Sequence, residues 1–269
     1  MKSHPHQHEC SRLDLPAYRA RFRSFITASL LLISASLTAC GPRSATSAGS
    51  GPVLLFTGTG TSANDIAAIA TLLNSSHIDH STVNSFQLNA MAEPQISRYR
   101  LLIVPGGNFV DMGNSLTAST TANVRSAVRA GMSYLGICAG GFLAGNFPAP
   151  YNSFNLSSGV QFGFYSAENN ARKAAVRITM AEGPALDQYW EDGPQFAGWG
   201  EVVGKYPNGT PAIVEGTVGK GLVILSGVHP EAPANWRRGM DFQTPASADT
   251  AYAGTLIVAA LNRVTLPHF

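Results

Sequence analysis

The sequence predicts an α/β domain with a mostly parallel sheet and helices on both of its faces. The chain has 269 residues, of which 45% are hydrophobic and 13% charged, so it can bury a sizeable core. From Val53 onward, short apolar runs alternate with amphipathic stretches, which is the rhythm of a parallel sheet with crossover helices. Residues 155–228 instead contain mostly strands and turns. We therefore expect one domain over residues 53–269.

The elements follow from the spacing of apolar residues along the chain. The first half contains, in order, a strand at 53–57 (VLLFT), a helix near 62–74, strands at 82–86 (TVNSF) and 100–107 (RLLIVPGG), a helix near 117–131, and a strand at 132–138 (MSYLGIC). The second half contains predicted strands within 174–180, 201–216 and 221–228, and a closing helix near 247–264.

The N-terminus has the layout of an export signal. Three arginines precede an apolar run too short to span a membrane, and the run ends in LTAC at Cys40. This resembles a bacterial lipoprotein signal: residues 1–39 are removed and Cys40 carries lipid. An ordinary secretory signal with an incidental cysteine is the alternative. Residues 40–52 are rich in Gly and Ser, which is typical of a flexible tether.

The net charge of the mature chain and its expected export indicate which partners it can have. Removal of residues 1–39 takes away five basic and two acidic residues and leaves a net charge of −1. The mature sequence has no Lys/Arg run of the kind that nucleic acid needs, so we expect no nucleic-acid partner. We expect an exported envelope protein, held on the membrane by its lipid. Gly41 fits the periplasmic face of the outer membrane if the source is Gram-negative.

Cys138 is the single cysteine that this processing leaves free. Cys10 is lost with the signal and Cys40 carries lipid, so a disulfide framework is excluded. A lone thiol in an exported protein is open to oxidation, which favours a role for it, although a buried free cysteine is common and inert.

Unusual residues follow three predicted strands, and reactive groups collect at the carboxyl ends of strands in such sheets. Residues 58–63 (GTGTSA) match the dinucleotide fingerprint G-x-G-x-x-A, but no acidic residue follows about 20 positions later to hold a ribose. A tight turn in which Thr61 or Ser62 caps the next helix is the preferred interpretation.

The second strand end is a nucleophile-elbow pattern, G-x-C-x-G, at Gly136, Cys138 and Gly140. Glycines suit this crowded turn, which would project the cysteine beside a helix N-terminus that favours its thiolate. A glycine-rich turn around a buried cysteine would look similar. The third strand end carries His229 and Glu231, a base and an orienting carboxylate on one side of an extended chain.

The order Cys138, His229, Glu231 resembles that of class I glutamine amidotransferase-like domains. The chain is most similar to the biotin-protein ligase N-terminal domain-like branch, over about Val53 to Leu261. The segments that carry the resemblance are LLFTGTGTS, LLIVPGGNF, GICAGGFLAG, YWEDGPQF and GKGLVILSGVHPE.

The resemblance implies a flavodoxin-like three-layer sandwich and a set of roles. Cys138 would be the nucleophile, His229 the base and Glu231 its orienter. Backbone N–H groups of Gly106, Gly107 and Ala139 would form the oxyanion hole. The segment YWEDGPQF would form one wall of the substrate pocket through its aromatic residues, among them Tyr189 and Trp190, and through the acids Glu191 and Asp192, or else be a surface loop with Trp190 packed beneath it.

We therefore expect an envelope-anchored thiol hydrolase acting on a small-molecule or peptide amide, without metal or cofactor. We do not expect a biotin ligase. A DJ-1/PfpI-like protease is a second hypothesis, although many of those have histidine where Ala139 follows the cysteine. A non-catalytic ligand-binding lipoprotein with a vestigial triad is a third.

Overall fold

The computed structural model describes residues 52–147, 150–167 and 171–269. The predicted signal peptide, Cys40 and all of the predicted tether except its last residue lie outside this part of the chain. Within it, the strands are β1 (Val53–Phe56), β2 (His80–Val83), β3 (Leu101–Val104), β4 (Ser133–Ile137), β5 (Gly163–Phe164), β6 (Lys173–Met180), β7 (Leu186–Glu191), β8 (Pro194–Gln195), β9 (Glu201–Lys205), β10 (Pro211–Val218) and β11 (Gly221–Ser226). The helices are α1 (Ala63–Ser75), α2 (Ser85–Asn89), α3 (Glu93–Ile96), α4 (Phe109–Ser115), α5 (Ala118–Ala130), α6 (Ala139–Ala144) and α7 (Ala246–Asn262).

Nine strands form one mixed sheet in the order β2-β1-β3-β4-β11-β10-β9-β6-β7. The first five run parallel, and the remaining four extend the sheet with antiparallel pairs. The prediction of a mostly parallel α/β sheet is confirmed. The antiparallel part lies within residues 173–218, where the sequence predicts strands and turns. A separate two-stranded ribbon joins β5 and β8.

The central strands are buried on both faces. Alternate residues of β1 enter different hydrophobic clusters: Val53 and Leu55 pack with residues of α1 and α7, while Leu54 and Phe56 pack with residues of α4, α5 and α6. This alternation explains why the strands appear as continuous apolar runs in the sequence. The three-layer sandwich follows from it.

The prediction of a strand at TVNSF is wrong for the second half of that segment. TVNSF was expected to be extended throughout, but β2 ends at Val83 and Ser85 begins α2. Asn84 accepts a hydrogen bond from the N–H of Gln87, and the Gln87 side chain accepts one from the N–H of Asn84. This reciprocal capping box starts a helix in spite of the β-prone Val83 and Phe86.

None of the helices in the described ranges combines the length and apolar content that crossing a bilayer requires.

Candidate active site

Cys138 lies at the turn between β4 and α6, with the backbone angles φ 49° and ψ −105°. A positive φ at a residue other than glycine is a strained conformation, which is expected at a nucleophile elbow. Both glycines of the G-x-C-x-G motif are required by close contacts. A Cβ on Gly136 would lie 2.5 Å from the carbonyl oxygen of Gly140, and one on Gly140 would lie 2.0 Å from that of Val104.

His229 lies in the loop after β11, where its backbone N–H donates to the carbonyl oxygen of Tyr189 at 2.8 Å. Its Nδ1 is 3.0 Å from Glu231 Oε1, as expected from the sequence, and also 3.0 Å from Asp65 Oδ1. All three side chains are buried. One N–H therefore faces two carboxyl groups: its hydrogen bond is made to Glu231 Oε1, and Asp65 Oδ1, at ion-pair distance, has no hydrogen-bonding partner among the described residues.

The two carboxyl groups differ in their electrostatic surroundings. Burial raises the pKa of Glu231, and His229 offsets this only in part. Burial also acts to raise the pKa of Asp65, but the nearby charge of His229, with the Ser62 side chain, outweighs it and holds that pKa below its usual value. Burial alone would lower the pKa of His229, but Cys138, Glu231 and Asp65 raise it well above its usual value.

Asp65 is the site residue that sequence reasoning missed. It lies in the first turn of α1, where its N–H donates to the Ser62 side chain at 3.4 Å. An acidic residue in a first helical turn is explained by capping, so its pattern carried no further signal. Asp65 could have been identified as a site residue from its position just after the first strand, at the same end of the sheet as the elbow.

The loop GTGTSA is a turn, and Ser62 caps α1, as preferred from the sequence. The Thr61 hydroxyl donates to the carbonyl oxygen of Gly58. This turn also braces the PGG loop, because the N–H of Ser62 donates to the carbonyl of Gly106 at 3.0 Å. The two strand ends thus hold each other in place beside the elbow.

The proposed oxyanion donors occupy two different environments. Gly107, with φ 140°, lies at the cavity together with Ala139, and Ala139 is the first residue of α6, where an N–H has no partner within the helix. Gly106 lies against the base and acid of the site: a Cβ on it would lie 2.3 Å from Asp65 Oδ1 and 2.6 Å from His229 Cε1. The absence of a side chain at Gly106 lets His229 and Asp65 meet.

These groups open into a cavity of about 460 Å³. One wall is aromatic: the rings of Phe109 and Phe142 stack with centroids 4.6 Å apart, and Phe164 lies 4.7 Å from Phe142. Another part of the lining is charged, with Glu191 and an Arg172–Asp192 ion pair at 2.7 Å. The cavity therefore offers both an apolar and a charged surface next to the thiol.

The expectation that Trp190 forms a pocket wall is wrong. Side chains alternate along β7, so Tyr189 and Glu191 point to one face and Trp190 to the other. Trp190 is buried against Tyr165, with ring centroids 5.6 Å apart. Glu191 and Asp192 line the cavity, as the sequence predicts, and Tyr189, which is not part of the lining, donates a hydrogen bond to Glu191 at 2.5 Å.

The thiol of Cys138 donates to the backbone carbonyl of Glu191 at 3.6 Å; in the described part of the chain it has no hydrogen bond to His229. Asp65, His229 and Glu231 are also the group of described residues whose ligand atoms could hold a metal ion, since these atoms lie within 4.8 Å of one another. The sequence led us to expect no metal, and two of these atoms, His229 Nδ1 and Glu231 Oε1, are hydrogen-bonded to each other.

Comparison with known proteins confirms the resemblance. Residues 52–149 match the family described as "Biotin-protein ligase, N terminal". This segment contains Asp65, Gly106, Gly107 and Cys138, whereas His229 and Glu231 lie beyond it. A biotin–protein ligase of Schizosaccharomyces pombe is 29% identical over 170 residues, which cover 53% of this chain and 27% of the ligase. The matched part is thus about a quarter of that protein.

Solved structures confirm the fold. A glutamine amidotransferase has a TM-score of 0.52 at 21% identity, and the match covers 67% of this chain and 91% of that one. A candidate GMP synthase chain from Thermoplasma acidophilum has a TM-score of 0.51 at 10% identity, and the match covers 80% of this chain and 98% of that one. The α/β fold is therefore that of the glutamine amidotransferases.

Proposed function

We propose that this chain is an envelope-anchored thiol hydrolase acting on an amide or peptide-like substrate, and the proposed anchor is supported by the lipoprotein-like sequence LTAC that ends at Cys40. One observation carries the proposal: the strained Cys138 opens into the same cavity as His229, whose Nδ1 faces two buried carboxyl groups. A nucleophile, a base and an orienting acid are the parts that covalent acyl transfer needs.

Activation of the thiol begins with His229. Its Nδ1 proton is held by the carboxyl groups, so Nε2 is the nitrogen available to take the proton of Cys138. The raised pKa of His229 favours the imidazolium that results. The thiol must first rotate away from the carbonyl of Glu191, to which it donates in the resting site.

The thiolate then attacks the substrate carbonyl, and the N–H groups of Gly107 and Ala139 hold the developing oxyanion. His229 returns its proton to the leaving amine as the C–N bond breaks, which leaves an acyl thioester on Cys138. Water, deprotonated by His229, attacks the thioester, and the carboxylic acid leaves as the thiol is restored. The aromatic wall would hold an apolar part of the substrate, and the charged wall a polar one.

Binding without catalysis is the second candidate function. It is supported by the hydrogen bond of the thiol to a backbone carbonyl rather than to His229. In that case the cavity holds a ligand, and the Cys138 thiol is no more reactive than a free cysteine.

A trapping experiment separates the two candidates. A panel of peptidyl chloromethyl ketones is incubated with the protein, and the Cys138 adduct is measured by mass spectrometry. Catalysis predicts that at least one probe labels Cys138 faster than it labels free cysteine, and that His229→Gln removes this advantage. Labelling at the rate of free cysteine by every probe, in wild type and variant alike, would support the binding protein.

Anchoring is tested separately with Cys40. Cys40→Ser should abolish metabolic labelling with a fatty acid and move the protein from the membrane fraction to the soluble fraction of the envelope. Cys10→Ser, the matched control, should leave both unchanged. Fatty-acid labelling that persists in Cys40→Ser would contradict the assignment.

A further inference from the structure

A basic surface lies at the edge of the sheet opposite the cavity. Five cationic side chains project there from the segments around the N-terminal ends of β3, β4 and β11, and all five are exposed; we call them the basic edge: Arg98, Arg100, Arg129, Lys220 and Arg263. They are scattered over more than 160 positions of the sequence. The fold brings them together, so the sequence contains no run of basic residues that would predict this surface.

Close contacts tie the basic edge into one surface. The N–H of Lys220 donates to the carbonyl of Arg129 at 3.0 Å, and a Cβ on Gly131 would lie 3.4 Å from the guanidinium of Arg263. Arg98, Arg100 and Arg263 together line a groove of about 250 Å³. The groove is large enough for a phosphate headgroup.

The charge of the basic edge is not neutralised. In residues 52–147, 150–167 and 171–269, none of the five cations lies within 4.0 Å of a carboxylate oxygen. Asp79 lies directly before β2, in the loop that follows α1. It is an acidic residue at the N-terminal end of a strand of the same parallel set, and it forms no ion pair with the five cations. The exposed Val264 adds an apolar contact next to Arg263. Unpaired cations beside an exposed apolar side chain suit an anionic lipid surface.

The chain enters the domain at this same edge. The N–H of Arg100 donates to the carbonyl of Pro52 at 2.8 Å, so the first described residue lies beside the basic edge. The twelve residues 40–51 can span at most roughly 40 Å. A bilayer that held a lipid on Cys40 would thus lie within reach of the basic edge, and the cavity at the other end of the strands would open away from it.

We propose that the basic edge docks on anionic phospholipid headgroups, with a lipid phosphate in the groove lined by Arg98, Arg100 and Arg263. The orientation rests on the proposed lipid anchor, but the docking itself does not require it. Each cation next to an anionic bilayer contributes about fivefold to binding.

Vesicle partition tests the docking without the anchor. A chain beginning at Gly41 keeps every strand and helix described and lacks Cys40. It is mixed with phosphatidylcholine vesicles, with or without roughly one-third phosphatidylglycerol, and the bound fraction is measured by sedimentation. Wild type should bind the anionic vesicles and hardly bind the neutral ones. Equal binding to both would overturn the proposal.

Charge reversal at the basic edge has a matched control. R98E/R263E should lower binding to the anionic vesicles by about 25-fold or more. Arg100 is left unchanged, because its guanidinium donates to the carbonyl of Leu261 at 3.0 Å. The control K173E/R238E changes the net charge equally at two other exposed sites, and should lower binding by less than about fivefold. Equal losses in both variants would mean that net charge alone attracts the protein, and would overturn the docking surface.

A competition arm identifies the source of the phosphate. Inorganic phosphate and glycerol phosphate are added against chloride at matched ionic strength, and they should not release the protein from the vesicles. Release by millimolar phosphate would make the groove a soluble-phosphate site and overturn the lipid assignment. No step of these measurements uses Cys138, so a failure here is separate from a failure of the hydrolase.

Discussion

Asp65 and Glu231 compete for one ring nitrogen of His229, and their surroundings decide which one is charged. Asp65 lies in the first turn of α1, where the helix dipole favours a negative charge, and it is close to Ser62. Glu231 is buried, and its Oε1 is hydrogen-bonded to His229 Nδ1, whereas its Oε2, like Asp65 Oδ1, has no hydrogen-bonding partner among the described residues. From the directions of their pKa shifts we expect Asp65 to be ionised and Glu231 to hold a proton, so that Glu231 orients His229 and the charge of Asp65 stabilises its imidazolium.

Neutral, nearly isosteric variants test this division. Asp65→Asn should slow alkylation of Cys138 by iodoacetamide about tenfold or more, because it removes a carboxylate 3.0 Å from His229 Nδ1, and an opposite charge that close favours the imidazolium by roughly tenfold or more. Glu231→Gln should slow it by less than about threefold, because it replaces one neutral partner by another. Thermal melts check that both variants fold. A larger loss in Glu231→Gln than in Asp65→Asn would reverse the assignment.

Gly106 is the second residue on which His229 depends. In Gly106→Ala, the added Cβ would meet Asp65 and His229 at 2.3 and 2.6 Å, so both must move. We expect alkylation of Cys138 to fall to the rate found in His229→Gln. Gly254→Ala in α7, where a Cβ would meet nothing within 4 Å, is the control and should keep the wild-type rate. A wild-type rate in Gly106→Ala would show that this close approach is unimportant.

At the scale of elements, the elbow depends on backbone packing between α6 and β3. In Gly140→Ala, the added Cβ would lie 2.0 Å from the carbonyl oxygen of Val104, and neither backbone can yield cheaply. In Gly141→Ala, the nearest atom is a ring carbon of Phe196 at 2.8 Å, which can turn aside. Urea unfolding should show Gly140→Ala destabilised by about 2 kcal/mol or more, and Gly141→Ala by less. Equal losses would contradict this account of the elbow.

The same elements show what could be predicted from the sequence. The buried parallel strands and the G-x-C-x-G turn were predictable, because continuous apolar runs and obligatory glycines leave local signatures. The start of α2 was not, because the capping box at Asn84 and Gln87 competes with a β-prone neighbourhood. The place of Asp65 in the site and the face of the sheet to which Trp190 points were also missed. The place of Asp65 depends on which side chains meet across strand ends, and the orientation of Trp190 depends on the register of β7.

At the scale of the whole molecule, a buried acid couples stability to pH. Burial raises the pKa of Asp249 to about 7; Asp187 adds to this and Arg237 opposes it. The unfolded group titrates near 4, so between about pH 4 and 7 ionisation favours the unfolded chain and stability falls as pH rises. We expect Asp249→Asn to melt above wild type at pH 8 and together with it at pH 4. A melting-temperature difference that did not change with pH would contradict this.

The parallel half of the sheet assembles the proposed site from residues far apart in sequence, because its strand ends meet at one edge. Asp65 follows β1, Gly106 and Gly107 follow β3, Cys138 follows β4 and His229 follows β11. The family match covers the first three groups and stops before His229. The central claim therefore depends on the pairing of Cys138 with His229.

The most direct test of that pairing is the alkylation rate of Cys138 by iodoacetamide at pH 6.5, measured by mass spectrometry in wild type and in His229→Gln. His229 lines the same cavity as the thiol and would take up its proton and stabilise the anion that reacts, so wild type should react about tenfold faster or more. Equal rates in two folded proteins would mean that His229 does not activate Cys138 and that the chain is not a thiol hydrolase of this kind.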